Sequence, residues 1–383
     1  MSEKISNKIR SSFYEYIIYY PLTVFILLLA LPLLLVLFLK YLIRSTGAPL
    51  KSAANLIGFV LTLLLLSGGY FAVQLLTPYD LGEERRSVII DEDDLFPRIS
   101  ERFRQGGIIQ SEFLFKTAAV IGGIDRYISP GRYDFEGKVS LYDVLLKLKR
   151  QEVATATVTI PEGSNIYKIG SILSSTLMLD SAAFVNFALD TVKTRRQYQL
   201  EGLEGYLFPD SYRFRFGIKP EKVCEVLVRE FYARAGRLLD SANNCKLSVR
   251  QIVTLASILE AEAVHKEELR LISSVYHNRL RRQMPLQADP TVLYALREPS
   301  RSLLYRDLEI DSPYNTYKVR GLPPGPINSP GLAAIEAALN PAESEFLYFV
   351  ADGSGRHIFS KTLEEHNRAK RRIKALQMKF KQG

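Results

Sequence analysis

The sequence contains little cysteine and no tryptophan. Its 383 residues include only two cysteines, Cys224 and Cys245, and these make no CxxC pair. Two cysteines alone cannot supply the four ligands of a structural zinc site. They are either one disulfide, in an oxidising compartment, or two unrelated buried thiols. We therefore predict neither a metal nor a cofactor.

Signals for nucleic-acid binding are also missing from the sequence. It has no zinc-type ligand spacing, no glycine-rich phosphate loop and no aromatic RNA-binding signature. A formal net charge of +9 would nevertheless suit another polyanion, such as anionic lipid headgroups. We predict no nucleic-acid partner.

Long apolar runs, in contrast, are present near the N-terminus. Residues 17–43 are apolar except for Lys40, and residues 55–76 form a second such run. Each is long enough for a helix to cross ~30 Å of hydrocarbon. A cleaved signal peptide would have an apolar core of only about 7–15 residues and a small-residue cleavage site, and the sequence has neither. We predict an N-terminal tail over 1–16, followed by two transmembrane segments.

The charged residues around these runs indicate their orientation. Three basic residues lie at the end of the first run and in the loop after it, at Lys40, Arg44 and Lys51, and the acidic stretch "EERRSVIIDEDD" follows the second run. The positive-inside rule then places the loop between the runs in the cytoplasm and the rest of the chain outside. The same rule disfavours an outside location for the basic N-terminus. The first run, which contains two prolines, is therefore either a full crossing or a re-entrant segment.

Beyond the second run the sequence contains an internal repeat. The segment that begins at Val88 aligns without gaps with the one that begins at Val158, and Ser111 matches Ser181. Each copy predicts a short strand, an acidic turn, an amphipathic helix and a second helix capped by serine. Similar strands follow, in "PGRYDF" and "PDSYRF". We predict paired small α/β modules; the alternative is that they are spacers that hold the last domain away from the membrane.

The sequence pattern changes after the second copy. A long helical run extends to about Arg282, and Asp289 is predicted to cap a further helix with Pro290 at its first position. A loop rich in proline, glycine and asparagine follows. The last part is a helix at 330–339, a hairpin formed by "FLYFVAD" and "RHIFS" around the turn "DGSG", and a basic terminal helix. We predict an α+β fold for this part.

The long helical run contains "LASILEAEAVHKE", which holds two glutamates two positions apart. On a helical wheel of ~100° per residue, Glu262 falls in the middle of the apolar stripe, whereas Glu260 lies well away from it. A carboxylate in apolar surroundings either raises its pKa or finds a partner, and a protonated glutamate can act as a general acid. The alternative is a surface bridge from Glu262 to Lys266. Glu260, Glu267 and Glu268 are predicted to be solvated.

Several segments of this part resemble one known family. They are "LASILEAEA", "SVYHNRLRRQMPLQADPTVLYAL", "SPYNTYKVRGLPPGPINSPG", "NPAESEFLYFVADGSGRHIFS" and "EEHNRAK". In order and spacing they are similar to the membrane-bound endolytic murein transglycosylases, the YceG-like family. The likeness continues upstream through "LEGYLFPDSYRF", "SPGRYDF" and "TIPEGSNIYKIGSIL", so it covers essentially everything after Leu76.

The resemblance implies a bacterial inner-membrane enzyme whose catalytic domain lies on the extracytoplasmic side. It implies LysM-like modules over 84–155 and 156–240 and a YceG-like catalytic domain over 246–383. The substrate would be peptidoglycan glycan strands, and peptidoglycan synthases are suggested as partners. The family's catalytic glutamate matches Glu262, the residue that the helical wheel selects.

The family motif also implies which residues would surround that glutamate. Gln287, Asp289, Asn315 and Tyr317 would line the cleft, where they would hydrogen-bond to N-acetyl and hydroxyl groups or orient the catalytic side chain. The segment Gly321–Pro326 would be either a stiff wall of the cleft or a purely structural loop.

Two features depart from the family pattern. Members often have a hydroxyl residue directly after the catalytic glutamate, where this chain has Ala263. Members also usually have one membrane anchor, so the first apolar run is an addition.

One carboxylate is sufficient for a lytic transglycosylase. Glu262 would protonate the oxygen that leaves N-acetylmuramic acid and would then take a proton from the C6 hydroxyl, which closes a 1,6-anhydro ring without water or metal. Cleavage inside nascent strands would terminate their elongation. A muramidase-type hydrolase typically needs two carboxylates, and Asp289 is the candidate for the second unless it is only a helix cap. The third alternative is a non-catalytic wall-binding adaptor.

Overall fold

The computed structural model describes residues 49–240, 247–298 and 301–382, and the chain divides into two compact units between Ala154 and Thr155. Both units combine α-helices with small antiparallel sheets, which confirms the predicted mixture of helix and sheet. The predicted transmembrane segment 17–43 and Cys245 lie outside the described residues. Cys224 is buried.

The first unit is a set of helices around two short strand pairs. Its elements are α1 (Pro49–Leu76), β1 (Tyr79–Asp80), β2 (Arg86–Ile90), α2 (Phe96–Gln105), α3 (Glu112–Ile121), β3 (Gly131–Phe135), β4 (Lys138–Val139) and α4 (Leu141–Lys149). Strand β2 pairs with β3, and β1 pairs with β4. One hydrophobic core, which includes Phe103, Phe115 and Tyr133, joins these elements.

Helix α1 contains the second predicted transmembrane segment. Residues 57–76 have a mean hydropathy of 2.0, and they are long and apolar enough to cross a membrane. Leu64 and Leu65 are 61% and 71% exposed, so this part of the helix does not belong to a protein core. Near the end of the helix, Phe71 and Leu75 pack against the core of the first unit. Helix α1 is therefore compatible with a membrane anchor.

The second unit is larger and mainly helical. Its elements are β5 (Thr155–Thr159), α5 (Ile166–Leu177), α6 (Ser181–Leu189), α7 (Thr191–Tyr198), β6 (Ser211–Arg215), α8 (Pro220–Asp240), α9 (Val249–Glu262), α10 (Leu269–Arg281), α11 (Asp289–Ala295), α12 (Leu332–Leu339), β7 (Tyr348–Ala351), β8 (His357–Ser360) and α13 (Leu363–Gln382). Two 3₁₀ turns lie at Lys266–Glu268 and Tyr305–Glu309. Strands β5 and β6 form one antiparallel pair, and β7 and β8 form another.

The internal repeat of the sequence has a counterpart in the structure. In the first copy β2 and β3 pair with Val88 opposite Tyr133, and in the second copy β5 and β6 pair with Val158 opposite Tyr212. In each copy the tyrosine hydroxyl donates to the backbone oxygen four residues earlier, over 2.9 Å in the first and 2.6 Å in the second. Both copies therefore place helices between two paired antiparallel strands, two helices in the first copy and three in the second.

The helix caps of the two copies differ. Ser111 caps α3 as predicted, because its side chain accepts a hydrogen bond from the backbone N–H of Leu114. In the second copy Ser181 is already helical, and Asp180 caps α6 by accepting two backbone N–H groups. The predicted serine cap is wrong there by one residue.

One hydrophobic core extends through the second unit, from the strands of the second copy to helices α9 and α12. The predicted domains 156–240 and 246–383 therefore share a core. The two parts approach closely at Gly205, where an added Cβ atom would lie 2.5 Å from the Pro326 ring. Gly205 also has a φ of +85°, which glycine adopts at little cost.

Next to this glycine, Glu204 is a buried carboxylate that links distant elements. It accepts hydrogen bonds from the backbone N–H of Ile166, at the start of α5, over 3.2 Å, and from the Tyr294 hydroxyl, on α11, over 3.1 Å. Burial raises the pKa of Glu204 to about 8, although both hydrogen bonds act in the opposite direction.

The C-terminal elements partly match the predictions. The hairpin is confirmed, with Tyr348 opposite Ser360 and Ala351 opposite His357. The predicted long helical run is wrong, because it is broken at Ala263, whose backbone is extended, into α9, a 3₁₀ turn and α10.

Candidate active site

Helix α9 begins and ends at clearly defined points. Ser248 caps it through a capping box with Gln251, in which each side chain accepts from the other residue's backbone N–H. The eight residues from Ile252 to Leu259 are all buried, so the middle of the helix lies inside the core. The helix ends at Glu262, and this residue is therefore the point at which a buried helix reaches the surface of the unit.

A loop from elsewhere in the unit holds this helix in place. The Ser257 hydroxyl accepts from the backbone N–H of Ile327 over 3.1 Å, and the Asn328 amide donates to the Ser257 backbone oxygen over 2.8 Å. Because all three groups are buried, these bonds fix both the position and the rotation of α9.

The loop segment Gly321–Pro326 belongs to this support. None of its residues lines the cleft that contains Glu262, and Pro323, Gly325 and Pro326 are buried. The structural-loop interpretation is therefore the one that fits, and the predicted cleft wall is wrong.

Glu262 is half-buried at the end of α9. Its Oε1 accepts a hydrogen bond from the hydroxyl of the buried Tyr276, on α10, over 2.9 Å. Burial raises the pKa of Glu262 to about 7, and the negative charge of Asp289 acts in the same direction. The Tyr276 hydrogen bond and the positive charge of Arg279 act in the opposite direction. Near neutral pH the residue can therefore both give and take a proton.

The predicted alternative of a surface bridge between Glu262 and Lys266 is wrong. Since the helix ends at Glu262, Lys266 does not lie one helical turn further on. Its Nζ instead lies 2.6 Å from the carboxylate of Glu162, in the second copy of the repeat.

Two of the three other glutamates are not solvated as predicted. The half-buried Glu260 accepts the backbone N–H of Gly331, directly before α12, over 2.9 Å, and burial raises its pKa. Glu268 is 7% exposed. Glu267 is exposed, which confirms the prediction for this residue.

Asp289 and Tyr317 lie together in the cleft with Glu262. The Tyr317 hydroxyl donates a hydrogen bond to the Asp289 carboxylate. Asp289 is the first residue of α11, where Ala288 occupies the cap position, and it makes no side-chain cap hydrogen bond. The predicted N-cap is therefore wrong by one residue, and the Asp289 side chain faces the cleft.

Gln287 is also exposed in the cleft. Its φ is +52°, in the left-handed region that costs most residues about 1–2 kcal/mol. Two contacts hold it there: its backbone N–H donates to Thr316 O over 3.0 Å, and its side-chain oxygen accepts from Arg279 over 3.3 Å.

Asn315 is fully buried and does not line the cleft. Its amide donates to the backbone oxygens of Leu308 and Ile310 over 2.8 and 2.9 Å, and its oxygen accepts the backbone N–H of Tyr317. The structure thus places Asn315 behind the cleft, where it supports Tyr317.

The cleft has a volume of about 480 Å³. Besides those predicted, the lining residues come from α10, the segment between α10 and α11, the β7–β8 hairpin and α13: Arg279, Leu286, Tyr348, Phe349, Val350, Ala351, His357, Leu363, His366, Asn367 and Lys370. Within the described residues, no three His, Cys, Asp or Glu side chains come together as a metal site would require.

Arg279 is one of the lining residues that the sequence did not reveal. It is buried, and its guanidinium donates to the backbone oxygens of Leu347 over 2.7 Å and Leu286 over 2.8 Å. Its Cζ lies 5.1 Å from the centre of the Tyr348 ring. These contacts fix a positive charge beside the cleft, which also contains Glu262.

His357 is a second residue that was missed. Its backbone N–H and its ring Nδ1 contact the two carboxylate oxygens of Glu268, over 3.1 and 2.9 Å. The side chains of both residues are at most 10% exposed. Glu268 therefore fixes the orientation of the His357 ring at the edge of the cleft.

The second unit is thus an α+β body with an acid-bearing cleft at the end of a buried helix. Residues 88–372 match the YceG-like family, and this chain belongs to that family.

Curated relatives share this similarity over most of the chain. An endolytic murein transglycosylase of Bacillus subtilis is 32% identical over 326 residues, which are 80% of this chain and 90% of that protein. One from Streptococcus pneumoniae is 30% identical over 358 residues, and the match covers 82% of this chain but only 64% of that protein. A crystal structure of a YceG-like protein from Listeria monocytogenes is 33% identical, with a TM-score of 0.53, and the match covers 74% of this chain and 98% of that one.

Proposed function

We propose that this protein is an endolytic lytic transglycosylase that cleaves peptidoglycan glycan strands. The observation that carries the proposal is Glu262, a side chain with a pKa of about 7. It lies in a cleft whose volume, about 480 Å³, is large enough for a saccharide. The names of the relatives from Bacillus subtilis and Streptococcus pneumoniae support the reaction class. The product would carry a 1,6-anhydromuramic end, and cleavage would terminate strand elongation.

The reaction needs one proton donor that later becomes a proton acceptor. Glu262 donates its proton to the glycosidic oxygen as the bond from muramic C1 breaks, and N-acetylglucosamine leaves as the alcohol. The Glu262 carboxylate then takes the proton of the muramic C6 hydroxyl, and O6 bonds to C1. Glu262 ends the cycle protonated, and no water is consumed.

The neighbours of Glu262 suit both halves of this cycle. Burial keeps the acid protonated before cleavage. Once the proton has left, the Tyr276 hydroxyl, at 2.9 Å, and the nearby Arg279 charge stabilise the carboxylate. Gln287, Asp289 and Tyr317 are proposed to hydrogen-bond to the sugars, and Asn315 to hold Tyr317.

A second candidate function is hydrolysis of the same bond. Asp289 favours it, because this exposed carboxylate lies in the same cleft and raises the pKa of Glu262. In that reaction Asp289 would act as base or nucleophile, and water would add to C1. A purely wall-binding adaptor is less well supported, since it would not need an acid with a raised pKa.

Helix α1 supports a proposal for the location of the protein. We propose that α1 anchors the chain in the bacterial cytoplasmic membrane, with everything after residue 76 on the extracytoplasmic side and peptidoglycan synthases as neighbours. The two copies of the repeat would be LysM-like modules, at 84–155 and 156–240, that bind the glycan strands. The catalytic part would span 246–383.

The product distinguishes the two reactions. We expect strands digested by the wild-type protein to end in 1,6-anhydromuramic acid, lighter by one water than a hydrolysed end, as measured by mass spectrometry. Glu262→Gln should cleave at less than about a thousandth of the wild-type rate, since an amide cannot donate the proton. Glu260→Gln is the control: its amide oxygen can still accept the Gly331 N–H, so most activity should remain.

Two outcomes would contradict this assignment. Reducing muramic ends would mean that water is the nucleophile, with Asp289 as the second carboxylate. An active Glu262→Gln beside an inactive Glu260→Gln would move the acid to Glu260.

A further inference from the structure

One face of the terminal helix α13 lines the cleft, and the mechanism above does not use it. The polar residues of this face are His366, Asn367 and Lys370, which belong to the segment "EEHNRAK". Residues three and four positions apart lie on the same side of a helix, so the three side chains form one continuous surface. Helix α13 packs against both β7 and β8, which place it beside the cleft.

His366 has a ring nitrogen that is not used in a hydrogen bond among the described residues. Its ring stacks on Tyr348, with centroids 5.4 Å apart and planes at 26°. Its Nδ1 is buried and has no hydrogen-bond partner among the described residues. An unpartnered buried polar atom is costly, so a ligand whose binding turns this nitrogen toward a partner would be stabilised. Burial, Lys370 and Arg279 all lower the pKa of His366, so the ring is neutral and suits an amide or hydroxyl group.

Lys370 supplies a positive charge to the same surface. It is exposed and, within the described part of the chain, makes no ion pair, whereas Arg368 pairs with Glu364 at 3.5 Å. Lys370 lies one helical turn beyond His366, about 6 Å along the axis. The surface thus presents a neutral hydrogen-bonding region followed by a cation.

The murein strand carries this order of groups in its side branches. Each muramic acid bears a stem peptide, attached through an amide, and the peptide carries carboxylates further from the sugar. An amide near His366 and Asn367 would place those carboxylates toward Lys370. The other fixed cation of the cleft, Arg279, donates to backbone oxygens of the protein, so Lys370 is better placed to bind an anion.

We propose that His366, Asn367 and Lys370 form a subsite for the stem peptide, in which Lys370 binds a peptide carboxylate. The inference rests on the proposed function. The subsite gives the enzyme a preference for strands whose stem peptides carry free carboxylates.

The experiment compares two substrates that differ only in charge: strands with intact stem peptides, and the same strands after the peptide carboxylates have been converted to amides. The wild-type protein should have a lower KM for the charged strands. In Lys370→Gln the ratio of the two KM values should fall by about fivefold, with kcat unchanged. This factor corresponds to the upper end of the free energy that an exposed ion pair contributes. The matched control is Arg372→Gln, which removes the same charge from the same helix about 200° around it, outside the cleft.

Several outcomes would overturn the subsite. The wild type could show no preference between the two substrates, or Lys370→Gln could keep the wild-type preference. Arg372→Gln could also lose the preference as much as Lys370→Gln does, which would mean a general effect of charge. Binding of both substrates is measured in parallel in the Glu262→Gln background. If the wild type cleaves neither substrate and Lys370 still determines the difference in Kd, the subsite stands and the proposed reaction falls.

Discussion

The pKa of Glu262 results from opposed contributions of individual neighbours. Burial and the Asp289 charge favour the protonated form, whereas the Tyr276 hydroxyl and Arg279 favour the carboxylate. The position at the end of α9 adds the negative end of the helix dipole, which also disfavours a carboxylate. A value of about 7 therefore depends on several residues, and single substitutions should move it in predictable directions.

The rate should depend on pH through this group. Because Glu262 must begin protonated, kcat/KM should be constant at low pH and fall as pH rises through about 7. Tyr276→Phe removes a hydrogen bond that stabilises the carboxylate, so the fall should move to higher pH. The measurement is a pH profile of strand cleavage for both proteins. A rate that rises through pH 7 would mean that the essential group acts first as a base.

The sequence could identify Glu262 but not its partners. The glutamate is recognisable because it interrupts an apolar stripe of period 3.6, which is a local pattern. Tyr276 reaches it from another helix, and Glu268 reaches His357 across 89 positions. Such contacts depend on how helices pack, and nothing in the spacing of the residues records them. The family resemblance placed Asp289 and Tyr317 in the cleft, where the structure also has them, but it placed Asn315 there too, and that prediction is wrong because Asn315 is buried behind the cleft.

At the scale of elements, the position of the acid depends on how α9 is held. A polar residue in the buried part of this helix, Ser257, binds the loop that contains Ile327 and Asn328. The hydroxyl also donates to the Thr254 backbone oxygen over 2.7 Å, so the serine joins the helix and the loop. The apolar pattern alone gave this serine no role.

Ser257→Ala should weaken the unit and the site together. The Ile327 N–H would lose its partner inside the core, so the free energy of unfolding should fall by about 1–3 kcal/mol. Activity should fall at temperatures at which the variant is still folded, because α9 can then shift. The control is Ser175→Ala on α5, an exposed serine that also donates to a backbone oxygen three residues earlier. Denaturant unfolding and cleavage assays would test this, and equal effects of the two substitutions would contradict the special role of Ser257.

The end of α9 shows the limit of prediction for single elements. The residues after Glu262, "AVHKE", contain no glycine or proline, and alanine, lysine and glutamate all favour helix. The periodic pattern therefore predicts that the helix continues. The helix stops there, and the residues that follow make contacts with distant parts of the chain, such as the buried Glu268 with His357 and Lys266 with Glu162. Where a helix boundary is set by such contacts, local propensity cannot place it.

At the scale of the whole molecule, the orientation of the chain decides whether the proposed substrate is within reach. The basic loop before helix α1 and the acidic stretch after it indicate that the chain beyond residue 76 leaves the cytoplasm. A reporter enzyme fused after Gly383 should be active only outside the cytoplasm. The same reporter inserted in the loop between the two apolar runs is the control and should report a cytoplasmic location. A cytoplasmic C-terminal reporter would rule out a cell-wall substrate.

The repeat was predictable from the sequence because its copies retain matching residues at a constant offset. The way in which each copy packs against the rest of the chain was not predictable. The first copy has its own core with α1 and α4, whereas the second shares a core with residues 246–383, for example where Gly205 lies close to Pro326. This difference in packing depends on contacts between residues that are far apart in the chain, and the sequence of each copy does not record them.

This shared core limits where the gene can be cut and rejoined during evolution or engineering. A fragment that begins at residue 155 retains the whole core, so it should express as a soluble protein with one sharp thermal transition. A fragment that begins at 246 would expose the faces of α9 and α12 that the second copy covers, and it should aggregate. Expression of both fragments checks this, and a well-behaved shorter fragment would contradict it. Upstream modules could thus be exchanged between relatives, whereas the second copy has to be inherited together with the cleft.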